Sequence, residues 1–274
     1  MNIIEIENLW YRYSDGTTAL KGMSMAIPQG KKTALLGPNG AGKSTILLHF
    51  NGINLPQEGS VRVLGKEIDR ETERWVRTKV GLVFQDPDDQ VFASTVWEDV
   101  AFGPTNLKLS HQEIEHRVED ALQAVGMLDL RNKAPHHLSY GQKKRVAIAG
   151  VLAMKPEVIV IDEPVAYLDP KGKSILFTIL NELHASGTTI VIATHDVDLA
   201  AEWAENIIII KDGQTLASGD TSLLTRADLI QSADLQFPIV TRIFLGLPEL
   251  QLKEAPRTIE GAIKTLKDIL KLNQ

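Results

Sequence analysis

No cysteine occurs in the 274 residues. That absence excludes disulfides, thiolate zinc sites and thiol nucleophiles together, and it fits a cytosolic setting. Positive charge is also in short supply. With 29 Lys and Arg against 35 Asp and Glu, the net charge is -6, which argues against a mainly electrostatic grip on nucleic acid; that grip needs basic residues clustered against phosphates. No nucleic-acid partner is expected. Long apolar runs are missing too: "VIVI" at 158–161 and "IIII" at 207–210 fall far below the roughly 20 residues that cross a bilayer as a helix. If the protein works at a membrane, another chain has to anchor it. The opening "MNIIEIENLW" carries acids where a signal peptide carries basic and then apolar residues, so export is not expected. Repeats and low-complexity segments are absent as well. A hydrophobic content of 43% and a charged content of 23% suit a folded chain with a sizeable core, in one large domain or two modest ones.

Periodicity divides what remains. Ile4 and Ile6 flank Glu5, while Ser24 and Ala26 separate Met23, Met25 and Ile27; this alternation predicts half-buried antiparallel strands over 3–27. "KTALLG" then leads into a glycine-rich loop, and "TILLHF" continues as a helix. From about 86 to 155 the character is helical. Ser110 with Glu113 forms a capping-box pattern ahead of Ile114, Val118, Ala121, Leu122 and Val125, which share one helical face. This predicts a helical subdomain inserted in an α/β core. After Pro156 come "VIVID", "TIVIAT" and "IIII" before a Lys211-Asp212-Gly213 turn. Strands apolar on both faces imply a parallel sheet covered on both sides. The expected division is a main domain over 1–220 and a C-terminal extension over 221–274. The extension ends in an amphipathic helix with Ile259, Ala262, Ile263, Leu266, Ile269 and Leu270 on one side, expected to pack on its own domain or to contact a second copy.

The glycine-rich loop reads Gly37-Pro38-Asn39-Gly40-Ala41-Gly42-Lys43-Ser44-Thr45. It matches G-x-x-x-x-G-K-[ST], with a strand before and a helix after, the context that gives this pattern its meaning. Gly40 and Gly42 let backbone N–H groups approach phosphate oxygens, and the helix start adds its positive dipole end. Lys43 supplies a charge for the β- and γ-phosphates and Ser44 a hydroxyl for Mg²⁺. "VIVIDEP" delivers Asp162 and Glu163 at a strand's carboxyl end, where ligands of open α/β sheets sit. Asp162 can share the magnesium shell with Ser44, while Glu163 can orient or deprotonate a water. His195 after "TIVIAT" and Gln85 after "VGLVF" are expected on the same edge. There His195 serves the γ-phosphate and attacking water, and Gln85 touches metal and water.

In this order, the loop at 37–45, Gln85, "LSYGQ" at 138–142, "VIVIDE" at 158–163, Asp169 and His195, the sequence resembles the ATP-binding cassette (ABC) ATPases over roughly residues 3–219. The resemblance implies a P-loop NTPase core with an antiparallel β subdomain, an inserted α-helical subdomain and a small C-terminal extension. It implies ATP and Mg²⁺ as cofactors and hydrolysis of ATP by cassettes paired head to tail. Ser139, Gly141 and Gln142 of one cassette then cover the ATP held by the other, and Asp169 communicates across the pair. An aromatic residue upstream of the phosphate loop usually stacks on adenine; Tyr13 is the first choice and Tyr11 the second. Two positions depart from the pattern. Tyr140 and Tyr167 stand where small residues are usual, but neither removes a charge or a nucleophile partner, so activity is expected to survive.

The stretch "QDPDDQVFASTVWEDVAFGPTNL" at 85–107 resembles the cobalt/nickel and energy-coupling-factor branch of importers. That implies uptake of transition metals or vitamins through a transmembrane coupling protein and a substrate-binding membrane component, at the cytoplasmic face of the membrane. The ATPase would be a homodimer or a heterodimer with a paralogue. Val91, Phe92 and Trp97 beside Gln85 are expected either as apolar anchors for the coupling protein or as core of the helical subdomain. His136 and His137 are adjacent, a spacing that separates side chains in a helix or strand, and no acidic cluster completes a shell, so no transition-metal site is expected. The alternative is a soluble cassette not coupled to transport, of DNA repair or translation, but the chain lacks room for a long coiled coil or a second cassette. A plain P-loop kinase or GTPase would lack "LSYGQ".

Overall fold

The N-terminal alternation forms two long antiparallel strands, β1 (Asn2–Arg12) and β2 (Thr18–Pro28), with Ile4, Ile6, Leu9, Met23 and Ile27 buried. The structure is a computed structural model that describes residues 1–272. The chain continues through β3 (Lys32–Leu36), α1 (Lys43–Phe50), β4 (Glu58–Val63), β5 (Lys66–Glu67), α2 (Glu73–Lys79) and β6 (Val80–Val83). Three helices follow, α3 (Val96–Asn106), α4 (His111–Ala124) and α5 (Tyr140–Leu152). Strand and helix then alternate in β7 (Val158–Asp162), α6 (Pro170–Ala185), β8 (Thr189–Thr194), α7 (Val197–Trp203) and β9 (Asn206–Lys211). The hairpin strand β10 (Gln214–Gly219) precedes α8 (Ala227–Ser232), α9 (Ile239–Leu245) and α10 (Ile259–Leu272).

Two sheets result. One is antiparallel in the order β2-β1-β4-β5; the other runs β10-β9-β3-β8-β7-β6 and is parallel except for β10. The parallel strands are apolar throughout because each face meets a different core. Ala34, Leu36, Ile159, Ile161, Ile190 and Ile192 pack toward Val100, Val118, Val146 and Leu176 of the helices. Leu35, Val158, Val160, Val191 and Ala193 pack toward α1 and the antiparallel sheet, among Ile4, Ile6, Ile46 and Phe50. Each such Val, Ile or Leu removed from water stabilises the fold by about 1.5–3 kcal/mol.

Parallel register has a functional consequence. The carboxyl ends of β3, β6, β7 and β8 lie on one edge, and from them emerge the Gly37 loop, Gln85, Asp162 with Glu163, and His195.

The helical segment packs as α3 on α4 and α5. Its capping differs from expectation at one end. Ser110 accepts from the Glu113 N–H at 3.3 Å, but the Glu113 carboxylate is held by Arg117 Nε at 2.6 Å rather than returning to the cap. A charged donor four residues on wins over a neutral N–H. Helix α5 instead carries both halves of a capping box, formed by Ser139 and Gln142. Helix α10 leaves Ile259, Ile263, Leu266 and Leu270 exposed and Ala262 and Ile269 half-buried, so most of this apolar row does not pack on its own domain.

Candidate active site

The phosphate-loop pattern spans the turn between β3 and α1. Gly42 is the N-cap of α1 at φ 101°, and without a side chain it leaves the first N–H groups of the helix uncapped. Helices α3 to α7 differ, since Thr95, Ser110, Ser139, Asp169 and Asp196 cap them in turn. Gly37 is required by packing: a Cβ there would meet the Ile210 carbonyl at 2.2 Å. The free donors therefore face a cleft of about 680 Å³, a size suited to a nucleotide.

Tyr13, Asn39, Gly40, Gly42, Lys43, Ser44, Thr45, Gln85, Asp162, Glu163 and His195 line that cleft together. Lys43 is buried and its Nζ donates to the Gly37 and Pro38 carbonyls at 2.9 and 3.1 Å. Burial lowers the pKa of this amine, with the Glu163 and Asp162 carboxylates acting against the shift. Ala41 is buried below the loop, and Gly37 and Pro38 contribute carbonyls rather than cleft surface. Tyr13 donates to or accepts from Thr45 Oγ1 at 2.9 Å and lines the cleft. Tyr11 does not: it packs edge-on against Tyr13 and the buried His49, at 5.1 and 4.7 Å.

Asp162 closes β7 and lies beside the Ser44 hydroxyl; burial raises its carboxyl, and that hydroxyl pulls the other way. A hydroxyl next to a carboxylate is the hard oxygen pair that Mg²⁺ takes from a protein when phosphates and water complete the shell. Glu163 follows with φ 40°, a conformation that costs a non-glycine residue of order 1–3 kcal/mol and that clusters at functional sites. Its N–H still bonds the Ala193 carbonyl at 2.8 Å, so the sheet holds the strained residue. Its carboxylate takes Thr194 Oγ1 at 3.1 Å and His195 Nδ1 at 2.8 Å. Glu163 is almost fully buried, while the His195 ring stands 61% exposed, so the imidazole forms the outer wall of the pair.

The structure keeps Ser139, Gly141, Gln142 and Asp169 out of this cleft. They line a second one of about 420 Å³, between the start of α5 and the start of α6. Ser139 Oγ accepts from the Gln142 N–H at 3.3 Å, which leaves its own proton free to donate, and Gln142 Oε1 accepts from the Ser139 N–H at 2.9 Å. The Gln142 amide oxygen is thus spent on the cap, and Asp169 caps α6 through the Gly172 N–H at 2.6 Å. Tyr140 and Tyr167 meet at 5.1 Å between ring centroids, with Tyr167 at φ 61°. Burial and the Asp86 carboxylate push the Tyr140 phenol up.

Of the expected apolar anchors, Phe92 is exposed and pairs edge-on with the exposed Phe102 at 5.0 Å. Val91 is buried and Trp97 packs against the same core. His136 and His137 are closer than their adjacency suggests, with ring centroids 4.1 Å apart, since Pro135–His137 is a 3-10 turn. Among the described residues no group of three or more His, Asp or Glu is arranged to hold a metal.

Sequence reasoning missed Thr194, Phe102 and Lys144. Thr194 had one signal, its place at the end of β8 just before His195. Lys144 is buried on α5 and donates to the Phe84 and Gln85 carbonyls at 2.9 and 2.8 Å; burial brings its amine down to about 8.

Comparison with known proteins agrees with this geometry. The family described as ABC transporter matches residues 20–166. The energy-coupling factor transporter ATP-binding protein EcfA of Carboxydothermus hydrogenoformans is 53% identical over 270 residues, covering 96% of this chain and 100% of that protein. The solved structure of cbiO1 from Clostridium perfringens, described as part of the ABC transporter complex cbiONQ, superposes with a TM-score of 0.76 at 43% identity. It covers 91% of this chain and 97% of its own. A dimeric ATP-binding cassette in a post-hydrolysis state, bound to ADP and Pi, superposes with a TM-score of 0.72 at 31% identity, over 80% and 98% of the two chains.

Proposed function

The chain belongs to the ABC transporter family of ATP-binding cassettes, and from that membership we propose that it is the ATP-hydrolysing subunit of an energy-coupling-factor-type importer, working as a head-to-tail dimer. One observation carries the dimeric reading. The residues that suit a γ-phosphate are divided between two separate clefts of one chain, with Lys43, Ser44, Asp162 and Glu163 in the first and Ser139 and Gly141 in the second. A second copy, or a paralogue, turned head to tail brings the two halves to one nucleotide.

In that arrangement Tyr13 stacks on the adenine, a contact worth about 1–3 kcal/mol. Lys43 and the uncapped N–H groups of α1 hold the phosphates. Ser44 and Asp162, with Gln85 at the cleft mouth, would hold Mg²⁺, which neutralises phosphate charge when bound. Glu163 takes a proton from the attacking water as the water oxygen bonds to the γ-phosphorus and the bond to the ADP oxygen breaks. His195, hydrogen-bonded to Glu163, keeps that carboxylate aimed and faces the departing phosphate. Ser139 and the Gly141 N–H, at the start of α5, grip the γ-phosphate from the other side. Hydrolysis removes the grip, and the dimer opens.

Ser139→Ala is therefore expected to slow turnover by about 10²-fold, the usual effect of losing one donor to a developing oxyanion. Nucleotide affinity of the isolated subunit should stay unchanged, because the contact is made in the neighbour's site. Equilibrium binding to the monomer checks this; weakened binding there would place Ser139 in its own chain's cleft.

Among the described residues no helix is long and apolar enough to cross a membrane, so coupling to transport requires membrane partners. These are a transmembrane coupling protein and a substrate-binding component carrying a transition metal or a vitamin, with this subunit peripheral at the cytoplasmic face. The exposed Phe92 and Phe102 pair beside the Gln85 loop is the apolar anchor for the coupling protein. Co-expressed with its membrane components and purified in mild detergent, the wild type should travel with them, and Phe92→Asp should not while hydrolysing ATP at the basal rate. Wild-type protein that never co-purifies would favour the soluble alternative.

A further inference from the structure

Lys144 sits in the run Gln142-Lys143-Lys144-Arg145, which has the look of a solvated helix face. Its neighbour Lys143 does reach the surface and pairs with Asp88 at 2.6 Å. Lys144 itself is 1% exposed. Burying an ammonium is unfavourable unless it is fully partnered, and a Leu or Met would fill the same volume without that cost. Its partners are specific: Nζ donates to two consecutive carbonyls, Phe84 at 2.9 Å and Gln85 at 2.8 Å. Both lie just past Val83, where β6 ends and ladder pairing to β7 stops. The carboxylates of Asp162, Asp86 and Glu163 face the same ammonium.

The loop is pinned from its other end too. Gln90 accepts from the Phe84 N–H at 3.0 Å and donates to the Leu82 carbonyl at 3.1 Å. Residues 84–90 thus close on themselves, and the exposed Gln85 side chain projects into the nucleotide cleft. Gln90 ties this loop to its own strand, whereas Lys144 ties it to α5, whose first turn carries Ser139 and Gly141.

We propose that Lys144 is a positioning residue that fixes the backbone at Gln85 to the start of α5, so that the turn facing the neighbour's nucleotide and the loop facing the chain's own nucleotide move as one body. The inference rests on the reading that Gln85 acts at the metal and water. Its consequence is a link between the two sites of the dimer: whatever shifts Ser139 on one nucleotide shifts Gln85 on the other.

The test is a mutant cycle of Lys144→Met, Gln85→Ala and their combination, with Lys144→Arg as the conservative variant. A misplacement of about 1 Å at a reacting centre costs on the order of 10²-fold, so Lys144→Met should lower kcat by about that factor. ATP affinity measured without Mg²⁺ should hold within about twofold, and Lys144→Arg, which keeps charge and donors, should recover kcat to within about threefold of wild type. Because Lys144 acts through Gln85, the double variant should be no slower than Gln85→Ala beyond about twofold. Multiplicative losses overturn the proposal, as does a metal-free affinity that falls in step with kcat. A slow Gln85→Ala beside a normal Lys144→Met overturns the proposal alone; a normal Gln85→Ala overturns the reading of Gln85 and the proposal with it. If Lys144→Met does not fold, Lys144→Gln, too short to reach both carbonyls, takes its place with the same expectations.

Discussion

Glu163→Gln is expected to lower ATP turnover by about 10²–10⁴-fold, the contribution of a positioned general base, while ATP still binds. The geometry separates the two effects. Glu163 hydrogen-bonds Thr194 and His195, not Lys43 or Ser44, so no hydrogen bond of those two phosphate-binding residues is altered. An amide keeps the shape of the carboxylate: its oxygen can accept from Thr194 and its nitrogen can donate to His195 once the imidazole adopts the other tautomer. What an amide cannot do is take a proton from water. The loss should therefore fall on kcat, with nucleotide affinity unchanged. Phosphate release and equilibrium binding, measured side by side, check it. Turnover within a few-fold of wild type would remove Glu163 from the base role.

Lys43→Ala should act in the opposite way, on binding within a single subunit. The buried Lys43 amine now bridges the Gly37 and Pro38 carbonyls across the loop, and in the proposed reading it turns to the β- and γ-phosphates. Two charge-assisted contacts at about 1.5–3 kcal/mol each amount to a loss of at least about 10²-fold in affinity, at 1.4 kcal/mol per tenfold. The alanine also leaves two carbonyls of the loop without their donor, so the cradle loosens as well as losing charge. Titration of the isolated subunit with ATP measures this. Wild-type affinity in Lys43→Ala would mean that the uncapped N–H groups of α1 alone hold the phosphates.

Much of this site could be read from the sequence because each element is local and sits at a strand end. The loop that carries Lys43, Asp162 with Glu163, and His195 each follow an apolar run, and parallel register alone is enough to bring such ends to one edge. The separation of Ser139 and Gly141 from the phosphate loop was likewise expected. What could not be read depends on choices between competing partners or faces. Glu113 satisfies a capping-box spacing, yet Arg117 one turn on draws its carboxylate away. In the 85–107 stretch every apolar residue looks equivalent in one dimension. Only the folded chain places Val91 and Trp97 inward and leaves Phe92 beside Phe102 outside. Lys144 was hidden among basic neighbours, since helical phase, not residue type, decides which lysine of a pair goes under. The apolar row of α10 reads as a packing face, but among the described residues Ile259, Ile263, Leu266 and Leu270 stay exposed.

The central claim is that nucleotide joins two copies by engaging the phosphate loop of one and the Ser139 turn of the other. Light scattering on Glu163→Gln in saturating Mg-ATP tests it most directly, because that variant is expected to bind ATP and turn it over only slowly. The account predicts a dimer that reverts to monomer when Ser139→Ala is added. A particle that stays monomeric with nucleotide demonstrably bound would contradict it.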